Sequence, residues 1–404
     1  MTEVSVRCCV VGGGPAGMML GMLLARGGVD VLVLEKHGDF LRDFRGDTIH
    51  PSTLQVMHEL GLLDELLRRP HTQARTVSAV IGGQQVEVAD FSHLPTRCGF
   101  IALMPQWDFL DFVAEHAKRY PNFRLMMRTE ATGLIEEGGV VRGVRAHGPE
   151  GELEIRADLV VGADGRHSVL REQSGFKLFD LGAPIDVLWM RLSRRADDPV
   201  AALGRIAAGH ILVTLDRGDY WQCAFVIPKG GIEEVKARGL PAFREAIVQI
   251  APLFADRVQE LTSWDDVKLL TVTVNRLREW SRAGLLMIGD AAHAMSPVGG
   301  VGINLAIQDA VATANLLGAD LRRGAVGPMA LRRVQRRRET ATRITQRLQV
   351  LVQNRVITRV LGAQQAPGVP LVLRLLQMMP SLRQWPARLI GLGVLPEHVE
   401  TKEG

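Results

Sequence analysis

The sequence has 404 residues, of which 47% are hydrophobic and 23% are charged, with a formal net charge of +4. This composition is that of an ordinary globular protein long enough for a buried core and two domains. So small a positive charge, without a finger, helix-turn-helix or RNA-binding signature, argues against nucleic acid as a partner. The four cysteines lack metal-ligand spacing, so we predict no metal site and reduced thiols in a cytoplasmic protein. The longest apolar runs fall short of roughly 18 residues, so no transmembrane segment is predicted.

The chain opens with a predicted β-α-β unit of about thirty residues. Residues 6–11 have the pattern of a buried strand, residues 18–26 that of an apolar and therefore buried helix, and residues 31–34 that of a second strand. Farther along, hydrophobic patterns predict helices at 52–69, 107–119, near 241–257, 303–322 and 327–356, and strands at 75–90, within 123–161 and within 176–275.

A dinucleotide fingerprint, Gly12-x-Gly14-x-x-Gly17, lies between the first strand and the helix. Gly12 permits the tight turn, Gly14 lets the backbone approach a pyrophosphate, and Gly17 lets the helix pack closely on the strand. The free N–H groups at the start of the helix then face the phosphates. Glu35, at the end of the second strand, is placed to accept the ribose hydroxyls of an adenosine.

Residues 159–168, LVVGADGRHS, form a second pattern: a buried strand, an Asp-Gly turn and a basic helix start. By itself it fits equally well a simple strand-to-helix turn in which Asp164 caps the helix. Arg166 and His167 stand at the opening of that helix, where positive side chains oppose the helix dipole. Their placement suggests a compensating anion, such as the pyrophosphate of a nicotinamide cofactor.

A third pattern covers residues 284–305, in which a buried strand ends at Asp290, a glycine-rich loop follows and a helix opens near Gly302. Asp290 is placed to hydrogen-bond a polyol chain, as the ribityl chain of FAD requires. The positive end of the helix dipole is placed to face a flat ring with an electron-rich carbonyl. Capping by Asp290 would not account for the three glycines of the loop.

These three motifs, in this order and at these separations, resemble those of the group A flavin monooxygenases, the para-hydroxybenzoate hydroxylase family, over residues 6 to about 355. The resemblance implies a tightly but non-covalently bound FAD. It also implies NADH or NADPH as a transient cofactor, since a single G-x-G-x-x-G unit is present. Carried over position by position, it implies cofactor-binding roles for Gly12, Gly14, Pro15, Ala16, Glu35, Lys36, Arg45, Gln106, Ala131, Asp164, His167, Asp290, Pro297, Gly300, Gly302, Ile303 and Asn304.

The sequence assigns no catalytic side chain, only candidates near the flavin, because the cofactor itself carries out the redox and oxygen chemistry. Pro297 matches a proline that lies over the site of oxygen transfer in the family. Tyr220 and His50 are the other candidates near the flavin, although a capping or surface role is favoured for His50. His293 is expected to pack beneath the loop rather than to act as a base. The arginine run at 332–338 is interpreted as a solvated helix face.

The predicted fold is α/β: a Rossmann-type FAD-binding domain, an inserted substrate domain built on a sheet, and a helical C-terminal region. The boundaries expected are 1–71, 101–175 and 276–355 for the discontinuous FAD-binding domain, 72–100 and 176–275 for the substrate domain, and 356–404 for the C-terminal tail. The tail is apolar with interspersed arginines. The tail could lie on a membrane surface, but packing on the FAD-binding domain or on a partner subunit is favoured. A homodimer is a further alternative.

The resemblance implies a monooxygenase that uses NAD(P)H and O2 to hydroxylate a small aromatic or conjugated substrate through a flavin C4a-hydroperoxide. Two alternatives share the fold, a prenyl-chain reductase and a halogenase. The halogenase motif W-x-W-x-I-P, aligned on Ile227 and Pro228, would put Cys223 and Phe225 where its tryptophans belong. A non-redox carrier is a further alternative, which the intact ribityl and flavin-loop motifs disfavour.

Overall fold

The computed structural model describes residues 2–41, 48–198, 203–324, 326–365 and 368–404. Its helices are α1 (Pro15–Arg26), α2 (Pro51–Glu59), α3 (Leu63–Leu66), α4 (Gln106–Ala117), α5 (Val169–Ser174), α6 (Ile232–Ala237), α7 (Leu240–Ile250), α8 (Gly302–Arg322), α9 (Pro328–Val352), α10 (Thr358–Leu361), α11 (Leu371–Met378) and α12 (Gln384–Gly391). A π-helical turn, Gln353–Ile357, joins α9 to α10.

The strands are β1 (Thr2–Val11), β2 (Val31–Glu35), β3 (Thr48–Ile49), β4 (Thr72–Ala74), β5 (Thr76–Ile81), β6 (Gln84–Asp90), β7 (Ile101–Leu103), β8 (Phe123–Met127), β9 (Glu130–Glu137), β10 (Val140–Gly148), β11 (Gly151–Gly162), β12 (Leu178–Asp180), β13 (Ile185–Ser193), β14 (Leu203–Ala207), β15 (His210–Asp216), β16 (Tyr220–Pro228), β17 (Lys268–Leu270), β18 (Asn275–Leu277), β19 (Ser281–Arg282), β20 (Leu285–Met287) and β21 (His293–Ala294). They form two large sheets and two small ones.

The first large sheet has the order β19-β20-β11-β1-β2-β8, and a hairpin of β9 and β10 extends from β11. Its four central pairings are parallel. Every residue of β2 is buried, as is expected for a strand covered on both faces. Helix α1 is apolar almost all round because it is enclosed by the sheet, α4 and α8.

The second large sheet, which we call the substrate sheet, has the order β17-β13-β16-β15-β14-β5-β6. Its strands come from residues 76–90 and 185–270, inside the segments that we propose as the substrate domain. One face, which includes Cys223, Phe225 and Ile227, packs against α7. The other face, which includes Ala224 and Val226, packs against α10 and against Val298 of the glycine-rich loop. The substrate sheet therefore presents one apolar face to the loop at the start of α8.

The C-terminal residues are fixed to the first large sheet's side of the molecule by polar contacts. Arg26 donates to the carbonyl of Thr401 at 2.6 Å, and Asn315 donates to the carbonyl of His398 at 2.8 Å. Packing of the tail on this part of the protein is thus confirmed for its last residues. Among the described residues, no helix combines the length and the apolar character needed to cross a bilayer.

The structure corrects the helix predicted at 52–69, which is two helices, α2 and α3. Gly61 adopts a φ of +73°, a left-handed conformation that ends α2. The helix predicted near 241–257 ends at Ile250, since Pro252 cannot continue its hydrogen bonding. The long helix predicted at 327–356 becomes π-helical at Gln353.

Gly17→Ala should destabilise the fold by about 1–3 kcal/mol, because the added Cβ would crowd the turn between β1 and α1. That atom would lie 1.9 Å from the carbonyl oxygen of Gly12. Gly318→Ala in α8 is the matched control, since nothing lies within 4 Å of its added Cβ. The control should be unchanged or up to about 1 kcal/mol more stable. Urea denaturation measures both, and wild-type stability in Gly17→Ala would contradict the close packing.

Candidate active site

The sequence motifs meet along one edge of the first large sheet. Strands β2, β1, β11 and β20 are parallel neighbours, and their pairing aligns Leu34, Val11, Gly162 and Met287. The residues that follow these four positions therefore lie side by side at the carboxyl edge. Ligands of open α/β sheets bind in this crevice.

The fingerprint turn has the geometry that a pyrophosphate requires. Gly12 has a φ of +107°, and a Cβ there would lie 2.4 Å from the carbonyl oxygen of Ala163. By contrast, a Cβ on Gly14 would meet no described residue within 4 Å, so the described part of the chain leaves the backbone at this point open to a ligand. Helix α1 begins at Pro15 without a side-chain cap, and Ala16 is buried behind the turn. The uncapped N–H groups are suited to an anion.

Glu35, the last residue of β2, lies beside the glycine turn of the fingerprint. Its carboxylate accepts one hydrogen bond from the N–H of Gly13 and one from the N–H of His37, each at 3.0 Å. Lys36 is more than half exposed and lies 3.7 Å from Glu130, while Ala131 is buried in β9. These contacts hold Glu35 at the end of β2 beside the glycine turn.

Gln106 is the first residue of α4 and is half-buried. Arg45, which the resemblance assigns to FAD, lies outside the described residues.

The Asp-Gly turn differs from the predicted helix start. Helix α5 begins at Val169, and its cap is Ser168, whose hydroxyl accepts from the N–H of Arg171 at 3.0 Å. Asp164 is therefore not the cap. Burial raises the pKa of the Asp164 carboxyl, although Ser168 and the N–H groups of α5 partly offset this effect. Its Oδ1 atom has no hydrogen-bond partner in the described part of the chain.

An ion pair joins the second and third motifs. The Nε atom of Arg166 donates to Oδ2 of Asp290 at 3.1 Å, and both side chains are about one-third exposed. Arg171 also donates to the carbonyl oxygen of Ala291 at 3.3 Å. Asp290 thus compensates the charge of Arg166 within the chain, and docking of a nicotinamide cofactor at this edge stays a prediction. His167 remains exposed beside this pair.

Asp290 stands on a short turn, Gly289–Ala291, that a buried carboxylate holds in place. Asp309 of α8 accepts from the N–H of Gly289 at 3.0 Å and lies 2.6 Å from Nε2 of His293. Arg338 of α9 donates to the other oxygen of Asp309 at 3.0 Å. Burial disfavours the charge on Asp309, but His293 and Arg338 outweigh it and the pKa falls below its usual value. His293 lies beneath the loop, as predicted.

Arg338 corrects the interpretation of residues 332–338 as a solvated face, since its side chain is only 1% exposed. It also donates to the carbonyl of Leu395 at 3.0 Å and to Glu397 at 3.3 Å. Neither Asp309 nor Arg338 was predicted from the sequence.

The glycine-rich loop is positioned by glutamines on one face of the helix that runs through α9 into the π-turn. Gln349 donates to the carbonyl oxygens of Ser296 and Val298, each at 2.9 Å, and Gln353 donates to the hydroxyl of Ser296. Gly299 and Gly300 take φ values of +82° and +64°. The spacing of Gln349 and Gln353 could have been noticed in the sequence, because helix positions four apart lie on the same face.

The start of α8 is partly exposed, at Gly302 and Ile303. Pro297 precedes the turn Val298–Gly300, and Gly302 begins α8 without a side-chain cap. Ile303 is partly buried against the main core. Asn304 is buried, and its Oδ1 accepts from the hydroxyl of Thr53 at 2.7 Å and from the N–H of His50 at 3.1 Å. Asn304 therefore ties α2 to α8.

His50 is fully buried rather than on the surface. It precedes α2, but its side chain makes no capping bond. Its Nδ1 lies 2.7 Å from the carbonyl oxygen of Ile390, so Nδ1 carries the proton, and Nε2 faces the Thr48 hydroxyl at 3.2 Å. The Thr48 hydroxyl also lies 3.2 Å from the carbonyl oxygen of Gly300, and its single proton serves one of these two acceptors at a time. His50 thus links the C-terminal tail to the glycine-rich loop.

Tyr220 lies at the start of β16, half-buried, with the guanidinium of Arg191 4.9 Å from its ring centre. Because every second residue of a strand points to the same side, Tyr220 shares with Gln222 and Ala224 the face of the substrate sheet that meets Val298. Four residues of strand separate Tyr220 from Ala224, about 13 Å. Tyr220 is therefore on the correct face but at a distance from the loop.

These observations fit FAD. Within the described residues, two helix starts without side-chain caps, an open backbone at Gly14 and an oxygen of Asp164 without a hydrogen-bond partner lie along one crevice. The geometry offers anion-binding N–H groups at one end and, at the other, a helix start opposite an apolar sheet face. Among the described residues, no group of three or more His, Cys, Asp or Glu side chains is arranged to hold a metal ion.

Comparisons with known proteins agree with this geometry. The model of a family described as "FAD binding domain" matches residues 5–348. The chain is 36% identical over 381 residues to the 6-methylpretetramide 4-monooxygenase of Streptomyces rimosus, covering 93% of this chain and 90% of that protein. It is 26% identical over 320 residues to the rifampicin monooxygenase of Rhodococcus hoagii, of which it spans 61%. The crystal structure of p-nitrophenol 4-monooxygenase from Pseudomonas putida superposes with a TM-score of 0.76 at 20% identity, covering 98% of this chain and all of that one.

The fold and the crevice are those of an FAD-dependent oxidoreductase of the aromatic hydroxylase type. The chain belongs to the FAD-binding-domain family of group A flavin monooxygenases, which confirms the resemblance found in the sequence.

The buried imidazole gives a pH-dependent prediction. Burial lowers the pKa of His50 to about 4 from 6.5, and the bond to Ile390 offsets this only in part. The unfolded state binds the proton more tightly than the folded state does. The stabilisation of the folded state that neutral His50 provides is therefore complete above pH 6.5 and is lost as the pH falls toward 4. His50→Asn should reduce the loss of unfolding free energy between about pH 7 and pH 5 by about 2 kcal/mol.

Chemical denaturation at several pH values measures this difference. His58→Asn, which removes an exposed histidine from α2, the helix that His50 precedes, is the matched control. Identical pH profiles for His50→Asn and wild type would show that His50 does not titrate as its burial requires.

Proposed function

We propose that the protein uses NADH or NADPH and O2 to hydroxylate an aromatic substrate of the kind named for its relative, 6-methylpretetramide. The observation that carries this proposal is the 36% identity to the 4-monooxygenase of that compound along nearly the whole of both chains. The apolar face of the substrate sheet beside the glycine-rich loop supports it, because an aromatic substrate packs favourably against apolar side chains. We further propose a cytoplasmic location, where NAD(P)H is supplied.

In this proposal, FAD supplies hydride acceptance and oxygen transfer, and the chain binds and orients it. Glu35 would accept the hydroxyls of the adenosine ribose, the Gly12–Gly14 turn would hold the pyrophosphate, and Asp290 would bond the ribityl chain. The N-terminus of α8 would stabilise negative charge on the flavin ring through the helix dipole. The remaining predicted cofactor positions stay part of this proposal.

The substrate would lie between the glycine-rich loop and the substrate sheet. Val298 packs with Ala224 and Val226 at the edge of this space, which helps to exclude water from the reacting groups. Tyr220, with Arg191 over its ring, would border the substrate at the far end. His167, exposed beside the Arg166–Asp290 pair, would contact NADH or NADPH during its transient binding.

The halogenase alternative has less support. Cys223 and Phe225, which replace the tryptophans of the halogenase motif, pack against α7 on the face of the substrate sheet turned away from the loop. They therefore do not line the space beside the proposed flavin site.

Oxygen transfer is tested with isotopically labelled O2. Purified protein loaded with FAD should oxidise NADH or NADPH faster when 6-methylpretetramide or a related phenol is present, and one atom of the label should enter the product. Mass spectrometry of the product measures the label. Substrate conversion without label would favour a reductase, label only in water would show uncoupled oxidation, and a halide-dependent product would favour a halogenase.

Asp290→Ala should weaken FAD binding by roughly 10- to 100-fold, the loss of one charge-assisted hydrogen bond. Arg166→Gln is the control for loss of the ion pair, and Tyr220→Phe is the control for a change remote from the ribityl chain. Fluorescence titration of the apoprotein with FAD measures all three. If Arg166→Gln lost as much affinity as Asp290→Ala, the ion pair rather than a ribityl contact would explain the effect.

A further inference from the structure

The outward side of the C-terminal helices carries an unusual concentration of apolar side chains. Seven of the seventeen exposed large hydrophobic residues in the described part of the chain fall within residues 371–389. We call them the C-terminal apolar surface: Leu371, Val372, Leu375, Met378, Met379, Trp385 and Leu389. Leu371, Met378 and Trp385 are each more than 70% exposed.

The arrangement of these residues on α11 is inverted relative to a helix that buries its apolar stripe. Leu371, Leu375 and Met378 follow the spacing of one helix face, and that face points to solvent. Leu376 is the buried residue of α11, which lies on β6 of the substrate sheet. The outward stripe is therefore not required for packing inside this chain.

The charge of the region is equally one-sided. From residue 340 to residue 396 the sequence contains no Asp or Glu, and its charged residues are seven arginines: Arg343, Arg347, Arg355, Arg359, Arg374, Arg383 and Arg388. Arg374 and Arg388 lie within or beside the apolar surface and are exposed, whereas Arg383 pairs with Glu87. Arginines that flank outward Leu, Met and Trp residues are typical of helices that lie in the interface of an anionic bilayer.

We propose that the C-terminal apolar surface docks the protein on an anionic lipid bilayer, with α11 and α12 lying in the headgroup region. The apolar side chains are exposed on the outward side of α11 and α12, and a bilayer accepts such side chains without a matching groove. A two-fold contact between copies of this chain is disfavoured, because it would bring the same arginines of both copies together. The proposal goes beyond the proposed function and does not depend on it.

The test uses the full-length, FAD-loaded protein and co-sedimentation with vesicles. One set of vesicles is pure phosphatidylcholine, and the other contains about 30% phosphatidylglycerol. The protein should bind the anionic vesicles at least about tenfold more tightly than the neutral ones, and about 1 M NaCl should remove most of that preference by screening.

Two variants and a control assign the binding to the surface. Leu375→Glu with Met378→Glu should weaken binding to anionic vesicles at least about tenfold, and Arg374→Glu with Arg388→Glu should abolish the preference for anionic lipid. Met329→Glu is the matched control, because Met329 is also a highly exposed apolar residue, at 61%, on the separate helix α9. All variants should retain FAD absorbance and NAD(P)H oxidation, since the substituted side chains are exposed.

Several results would overturn the proposal. They are an absence of wild-type binding to anionic vesicles, equal loss in Met329→Glu, or unchanged binding in the surface variants. Light scattering tests the alternative that a second copy of this chain covers the surface. If the protein does not bind vesicles but forms a dimer that Leu375→Glu dissociates, the surface is a dimer interface instead. Activity with labelled O2 is measured separately, so failure of vesicle binding is distinguishable from failure of the proposed hydroxylation.

Discussion

The buried carboxylate of Asp309 is the contact on which the organisation of the active site depends. One of its oxygens holds the Gly289 N–H and His293, and the other holds Arg338. The first set fixes the turn that presents Asp290, and the second reaches through Arg338 to Leu395 and the C-terminal residues. A charge with no exposed surface is costly unless it is paired and fully hydrogen-bonded, so each partner of Asp309 is constrained in position.

A second set of hydrogen bonds closes around the start of α8. His50 contacts the carbonyl of Ile390 in the tail, its backbone N–H donates to Asn304, and the Thr48 hydroxyl lies 3.2 Å from the carbonyl oxygen of Gly300. The first residues of α8, the loop before it and the tail are therefore held by the same few polar groups. Loss of one of these groups would leave its hydrogen-bonding partners unsatisfied, which costs free energy, so the loop is held in one conformation. Such rigidity is what precise placement of a flavin ring requires.

The sequence was informative where the chemistry is local. A strand, a glycine turn and a helix follow one another within a few residues, so the fingerprint and Glu35 could be placed at strand ends. The strand predicted to end at Asp290 ends at Met287 instead, and Asp290 lies on the turn that follows it. Parallel strands then bring these ends together along one edge. The β-rich character of the inserted region was also predictable, since alternation along a strand is a local property.

Contacts between distant parts of the chain could not be read in this way. Arg166 and Asp290 are 124 residues apart, and nothing near either of them indicates the other. Arg338 lies in a run of arginines that is indistinguishable in composition from a solvated face, yet its side chain is interior because Asp309 and Glu397 approach it from elsewhere. Ser168 replaces Asp164 as the cap of α5 by a shift of a few residues in the helix start, which composition does not determine.

The charges of the C-terminal segment separate a part that is anchored to the rest of the chain from a part that faces outward. Its acidic residues are confined to the end, at Glu397, Glu400 and Glu403. Glu397 is buried against Arg337 and Arg338, so the acidic end is bound to the basic face of α9. The preceding helices lack acidic residues and turn apolar side chains outward. The acidic end can bind the arginines of α9 because its charge is opposite to theirs. The outward surface, whose only charged residues are arginines, remains attractive to anions. The two halves therefore differ in composition because the groups that they face differ in charge.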